Sequence, residues 1–166
     1  MSPFTLPAPD SENNTDTRDL NLGPTLGFLS LVWHLNHTLE RASKRMESSI
    51  GITSQQRMII RVLGRYPGIT PGAVARALWI DAGTLSAALK RLESKGLVRR
   101  ERDTIDRRRI MLDLTAKGKT FDVPHDASIE VAVHTTLGAL SETDAQATRH
   151  LLEALTLQID GIASKA

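Results

Sequence analysis

Apolar positions in the first third of the chain follow a helical period. Phe28, Val32, Leu35, Leu39, Ala42, Met46 and Ile50 recur at steps of three and four behind Pro24, which predicts one long helix over 24–50. At about 1.5 Å per residue this is a rod of roughly 39 Å, longer than a small domain needs, and such rods pack against a partner helix or a second subunit. Thr53-Ser54-Gln55-Gln56 then reads as a capping box. The helix it opens carries Met58, Ile59, Val62 and Leu63 and ends at Tyr66-Pro67-Gly68. Thr70-Pro71 starts a short helix to about Leu78, with Val74, Ala77 and Leu78 inward and Arg76 outward. Asp81 caps the next helix, which runs to about Lys95 and stops at Gly96.

Past Gly96 the period changes to alternation. Leu97–Arg102 and Arg107–Leu114 read as two strands, with Ile110, Leu112 and Leu114 on one face and Asp103–Asp106 as the loop tip between them. Thr115 is placed to cap a helix that Pro124 must kink or restart. Ser141-Glu142-Thr143-Asp144, a relative of the capping box, opens a last helix with Ala145, Leu151, Leu152, Leu155 and Ile159 as its apolar positions. Residues 1–23, rich in Pro, Asp, Asn, Ser and Thr, read as a flexible tail. The expected fold is mostly α: a winged helix-turn-helix over 51–118, with its recognition helix at 81–95 and its wing at 97–114.

Composition narrows the chemistry. The 166 residues contain no cysteine, which removes disulfide scaffolds, zinc ribbons and thiol nucleophiles. The longest apolar run, Leu26–Trp33, is too short to span a bilayer, and the N-terminus lacks the pattern of a secretory leader. A cytoplasmic protein without a membrane partner is the expectation. Charge is unevenly spread. Residues 90–119 carry eleven basic side chains against five acidic ones, whereas 120–166 carry two against seven. A basic middle between acidic ends suits a surface that faces a polyanion.

Two elements of that basic segment carry candidate chemistry. On the 81–95 helix, Leu85, Ala88, Leu89 and Leu92 share one side, which leaves Gly83, Thr84, Ser86, Ala87, Lys90, Arg91 and Ser94 outward. Small residues permit close approach to a major groove. Ala87 would meet a thymine methyl, and Lys90 or Arg91 would reach a guanine edge or a phosphate. An ordinary solvated helix face is the alternative. The hairpin carries Arg99, Arg100, Arg102, Arg107, Arg108 and Arg109, a density that fits a minor groove. Asp106 beside them would steer an arginine head through a charge-assisted pair. Here the alternative is an edge hairpin kept soluble by charge.

These residues resemble the MarR-type regulators. Gly96-Leu97-Val98-Arg99-Arg100, then Asp106-Arg107-Arg108, then Leu114-Thr115-Ala116-Lys117-Gly118 follow that family's wing pattern without a gap, and the similarity extends over roughly 24–163. It implies a homodimer, joined by a dimerisation helix at 24–50 and linking and dimerisation helices over 119–166, on pseudo-palindromic double-stranded DNA. Asp106 and Arg108 take the wing's Asp-x-Arg positions; Thr84, Ser86, Lys90 and Arg91 fall on the recognition helix. Asp81-Ala82-Gly83-Thr84-Leu85-Ser86 is similar to the branch that senses organic hydroperoxides. That branch uses a cysteine, which this chain lacks.

Family members commonly bind small aromatic anions between the dimer helices and the winged domain. Trp33, His34, His37 and Arg41, with Met58 and Arg61 as a second wall, would suit an aromatic carboxylate effector. Alternatively Trp33 is dimer core and the histidines are solvated. His34 and His37 lack the further ligands of a tetrahedral metal site. No phosphate loop, nucleophile elbow or paired-acid motif appears, so neither a cofactor nor an enzymatic activity is expected. The function expected is that of a DNA-binding repressor released by a small ligand. An architectural DNA binder with little sequence preference, or an interaction module on a winged scaffold, is the competing reading.

Overall fold

Thr53 Oγ1 accepts the Gln56 N–H at 3.2 Å, and the Gln56 side chain accepts the Thr53 N–H at 3.3 Å. Two donors that a helix start leaves orphaned are thereby satisfied. In the computed structural model, which describes residues 22–123 and 128–163, this box separates α1 (Gly23–Ile50) from α2 (Ser54–Arg65). There follow α3 (Pro71–Leu78), α4 (Ala82–Ser94), β1 (Val98–Arg102), β2 (Ile110–Leu114), α5 (Ala116–Lys119), α6 (Ile129–Gly138) and α7 (Glu142–Ala163). The tail expected over 1–23 lies outside the described residues except for Leu22 and Gly23, and Gly23 already belongs to α1. Pro124 lies outside them as well. Among the described residues no helix is long and apolar enough to cross a membrane.

Two compact units are formed, Gly23–Ile129 and the residues from Glu130 onward. The core of the first gathers Ile59, Ile60 and Leu63 of α2, Val74 of α3, Leu85, Leu89 and Leu92 of α4, then Leu97, Leu112 and Leu114 around the hairpin. All are apolar side chains withdrawn from water, the main favourable term in folding. From α1, Ile50 packs against this core and Met46 is buried, while Leu31, Trp33 and Leu35 remain exposed. In the second unit, Ser141 Oγ accepts the Asp144 N–H at 3.1 Å and donates to the Asp144 carboxylate at 2.7 Å, which starts α7. Leu151, Leu152 and Ile159 stand exposed along that helix, with Ala145 and Leu155 half-buried.

Several local expectations are corrected. Ala77 is exposed, because the inward arc of α3 is centred on Val74, Ala75 and Leu78. On α2, Ile60 joins the expected Ile59 and Leu63 in the core, Val62 packs half-buried against it, and Met58 faces outward. Arg107–Arg109 lie in the hairpin tip and not in the second strand. The Asp103 N–H bonds the Arg109 carbonyl at 3.0 Å and the Arg109 N–H bonds the Asp106 carbonyl at 2.8 Å, so the ladder closes at Arg102–Ile110. Ile110, at that outer end, is exposed, whereas Leu112 and Leu114 are buried. Thr115 does cap a helix, but α5 ends at Lys119, ahead of Pro124.

Candidate nucleic-acid interface

Helix α4 is held by Leu85, Ala88, Leu89 and Leu92, all buried. Gly83, Thr84, Ser86, Ala87, Lys90, Arg91 and Ser94 are all exposed, which is the outward set the helical period predicts. At its start, Asp81 Oδ1 accepts the Thr84 N–H at 2.8 Å and Asp81 Oδ2 accepts the Thr84 hydroxyl at 2.5 Å. The Thr84 hydroxyl bond, then the Thr84 main-chain bond, hold the Asp81 carboxyl below the ordinary 3.8. With its proton committed to Asp81, Thr84 presents lone pairs and a methyl group outward. A Cβ on Gly83 would stand 3.1 Å from Asp81 Oδ1, so glycine here leaves room for the cap. Trp79, just before the cap, ends α3 in the left-handed region at φ 54° and is 83% exposed.

The hairpin projects from the same unit. Strands β1 and β2 pair antiparallel, Val98 with Leu114 through Arg102 with Ile110. Ile69 adds a bridge: the Leu112 N–H bonds its carbonyl at 2.9 Å. The arginines divide into two sets. Arg99 pairs with Glu101 at 2.9 Å and approaches Asp113 at 3.9 Å, and Arg100 pairs with Glu93. Among the described residues Arg102, Arg107, Arg108 and Arg109 form no salt bridge, and all four are exposed. Asp106 does not hold an arginine head in this arrangement. Its Oδ1 accepts the Arg108 main-chain N–H at 3.1 Å, so it shapes the tip's backbone. Asp103 acts alike: its Oδ1 accepts the N–H of Ile105 at 2.8 Å and of Asp106 at 3.4 Å. The Ile105 bond holds the Asp103 carboxyl below its usual value, with a smaller contribution from Arg109.

The residues predicted for an effector site are not gathered together. Trp33, His34, His37 and Arg41 are exposed on α1. There Arg41 donates to Thr38 Oγ1 at 3.2 Å, and His37 lies 3.8 Å from Glu40. Met58 and Arg61 instead line a cavity of about 470 Å³ with Val62, Gly64, Arg65, Tyr66 and Asp122. Arg61 bonds both the Asp122 carboxylate and the Asp122 carbonyl at 2.6 Å. Four residues earlier, buried Arg57 donates to the Phe121 carbonyl at 3.1 Å and the Val123 carbonyl at 2.8 Å. Sequence reasoning missed Arg57 and Asp122 entirely. The available signal was the i, i+4 spacing of Arg57 and Arg61 on α2, which puts two cations on one face. Among the described residues no group of three His, Asp or Glu is placed to hold a metal ion.

Comparison with known proteins agrees with this geometry. A model of the MarR family matches residues 50–109. The chain is 30% identical over 135 residues to the HTH-type transcriptional regulator TtmR of Methylorubrum extorquens, covering 81% of this chain and 67% of the relative. It is 28% identical over 99 residues to the organic hydroperoxide resistance transcriptional regulator of Bacillus subtilis, covering 57% and 67%. FabT of Streptococcus pneumoniae, solved in complex with DNA, superposes at a TM-score of 0.61 with 26% identity, covering 83% of this chain and 98% of FabT. MepR of S. aureus, also solved with DNA, superposes at 0.66 with 23% identity, covering 79% and 97%, and shares the fold.

Proposed function

The chain belongs to the MarR family of DNA-binding transcriptional regulators, and we propose that it is a cytoplasmic homodimeric repressor that reads a pseudo-palindromic operator and is released by a small aromatic anion. MarR-family members are not enzymes. The observation that carries the proposal is a pairing of surfaces within one unit. The small, hydroxyl-bearing and cationic face of α4 is exposed, and the hairpin tip carries Arg107, Arg108 and Arg109 with no salt bridge among the described residues. Two copies would set two recognition helices in successive major grooves about ten base pairs apart, with the wings in flanking minor grooves. FabT, solved in complex with DNA, supports the DNA-binding part of this reading.

The effector part of the proposal rests on the cavity beside Arg61. An aromatic carboxylate entering there would compete with Asp122 for the guanidinium. Asp122 stands in the turn that follows α5, its N–H bonded to the Lys119 carbonyl, so its release would loosen that turn. A ligand shifts the protein between states only by binding one of them better, and exchange of Arg61's partner supplies such a difference.

Selection of bound fragments from a random DNA pool at near-physiological salt tests the DNA reading. A recovered palindrome with half-sites about ten base pairs apart is expected. Binding at low salt without any enrichment would overturn it in favour of an architectural protein that uses its cations alone.

A further inference from the structure

We propose that Ile105 is an apolar wedge, which the wing presses into the minor groove so that the base step beneath it opens and the duplex bends. The proposal rests on the DNA-binding reading above. A single exposed apolar residue is ordinary on a protein surface. Ile105 differs in where it stands and in how firmly it is held. It is 95% exposed at the tip of the hairpin, beyond the last ladder pair, Arg102–Ile110. Its own N–H is bonded to Asp103 Oδ1 at 2.8 Å. The loop is closed by the bond from the Asp103 N–H to the Arg109 carbonyl and the bond from the Arg109 N–H to the Asp106 carbonyl. Asp106 Oδ1 adds the Arg108 N–H. The tip is thus ordered before any ligand arrives, and a β-branched side chain on an ordered backbone has few rotamers to lose.

Its neighbours give it a direction. Arg102 precedes it and Arg107, Arg108 and Arg109 follow, none in a salt bridge among the described residues. Cations on both sides of the tip suit the two phosphate walls of a groove, which leaves the isoleucine facing the bases between them. A loop made for phosphate alone gains nothing from an apolar apex. An apolar side chain inserted at a base step partly unstacks it and bends the duplex. Pyrimidine–purine steps yield most easily, so the wedge selects sequence through deformability at positions where it makes no hydrogen bond.

The test uses the full chain and two versions of the duplex recovered by the selection, one with a TA step and one with an AA step beneath the wing. Wild type should prefer the TA duplex, and end-to-end energy transfer should show it bent. Ile105→Ser should bind about tenfold more weakly, bend less and lose that preference. Its dependence on salt should stay unchanged, because no phosphate contact is removed. Ile105→Val should stay close to wild type. Arg108→Ala, in contrast, should weaken binding and flatten the salt dependence. If Ile105→Ser binds and bends like wild type while Arg108→Ala does not, the wedge is refuted and the wing reading stands. If both variants match wild type, the wing is not on the DNA and both readings fall.

Discussion

Gly118 is packed so tightly beneath Leu97 that a Cβ on it would collide with the Leu97 carbonyl oxygen. That oxygen accepts the Thr115 N–H at 3.1 Å, and the Thr115 hydroxyl bonds the Gly96 carbonyl at 2.6 Å while accepting the Gly118 N–H at 2.9 Å. The sequence pattern Gly96-Leu97-Val98 and the pattern Leu114-Thr115-x-x-Gly118 are therefore two halves of one contact. The obstacle is backbone, which cannot swing aside as a flexible side chain would. Gly118→Ala should cost about 3 kcal/mol, the upper end of ordinary overpacking. Urea unfolding followed by circular dichroism measures this, and a wild-type midpoint would show that the contact relaxes freely.

Gly96 supplies a contrast. Its φ is +68° and a Cβ there would meet nothing within 4 Å. Gly96→Ala should therefore cost only the left-handed strain, about 1 kcal/mol, and Gly96→Asn less still. If the two alanine variants unfolded at the same denaturant concentration, Gly118 would not be held by steric contact and Gly96 by conformation alone.

What was legible in the sequence was what short-range rules govern. The capping box at Thr53, the cap at Asp81 and the stop at Gly96 are decided within four residues, and they appear as read. The inward face of α4 followed from its period because the helix is long enough to present one. Helix α3 has only eight residues, so Ala75 and Ala77 were interchangeable until packing chose between them. The loop over Asp103–Asp106 is legible in the sequence, but Arg107–Arg109 read as strand because arginine tolerates either state. Two aspartates decide the matter, by spending their oxygens on backbone N–H groups and not on the arginines. The Arg57 and Arg61 contacts with Phe121–Val123 span more than sixty residues of sequence, beyond the reach of any local pattern.

Asp81 links acidity to the start of α4. Its carboxyl lies below the ordinary 3.8 because the charged form accepts two bonds from Thr84. A depressed folded value means that its stabilising contribution is complete above about pH 4 and fades as pH falls through the folded value. The Thr84 amide resonance should report this titration with a midpoint below 3.8. Asp81→Asn, which keeps an acceptor but no titrating proton, should lose the transition. A midpoint at or above the ordinary value would remove the capping bonds from the account.

Lys90 and Arg91 are both exposed on α4, but their chemistry predicts different losses. A lysine ammonium is a point charge suited to phosphate. Lys90→Ala should weaken binding to all sequences alike and reduce the salt slope by about one. Arg91, a planar fork, is the better reader of a guanine edge. Arg91→Ala should cost about 1–3 kcal/mol and relax preference at one base position. Titrations at several salt concentrations against the selected duplex and single-base variants separate the two. Equal losses on every sequence from both variants would deny α4 a reading role.

Arg61 and Asp122 are coupled across the cavity wall with 40% and 25% of their side chains exposed. Partial exposure limits the worth of such a pair, so a double-mutant cycle of Arg61→Ala and Asp122→Ala should return about 0.5–1 kcal/mol of coupling. Benzoate at millimolar concentration should raise the thermal midpoint of wild type and fail to do so in Arg61→Ala. Equal stabilisation of both proteins would move the effector away from this cavity.

Helix α1 leaves Leu31, Trp33 and Leu35 respectively 67%, 63% and 55% exposed. Leu31 and Leu35 are one turn apart and so form a continuous apolar strip. A strip of that kind on a helix of 28 residues is costly to leave in water at about 25 cal/mol per Å², and a second copy of α1 offers a matching surface. Sedimentation at micromolar concentration should give wild type twice the mass of the 18.2 kDa chain. Leu31→Glu with Leu35→Glu should shift it to the monomer, because a dimer seam would bury four carboxylates without partners. The core around α2 to β2 does not use these residues, so the helical signal should survive and distinguish dissociation from unfolding. The monomeric variant should also lose far more affinity for a two-half-site duplex than for a single half-site, since only a dimer gains from binding both at once. A wild-type monomer would overturn the homodimer proposal, and a double variant that remains dimeric would place the seam elsewhere than α1.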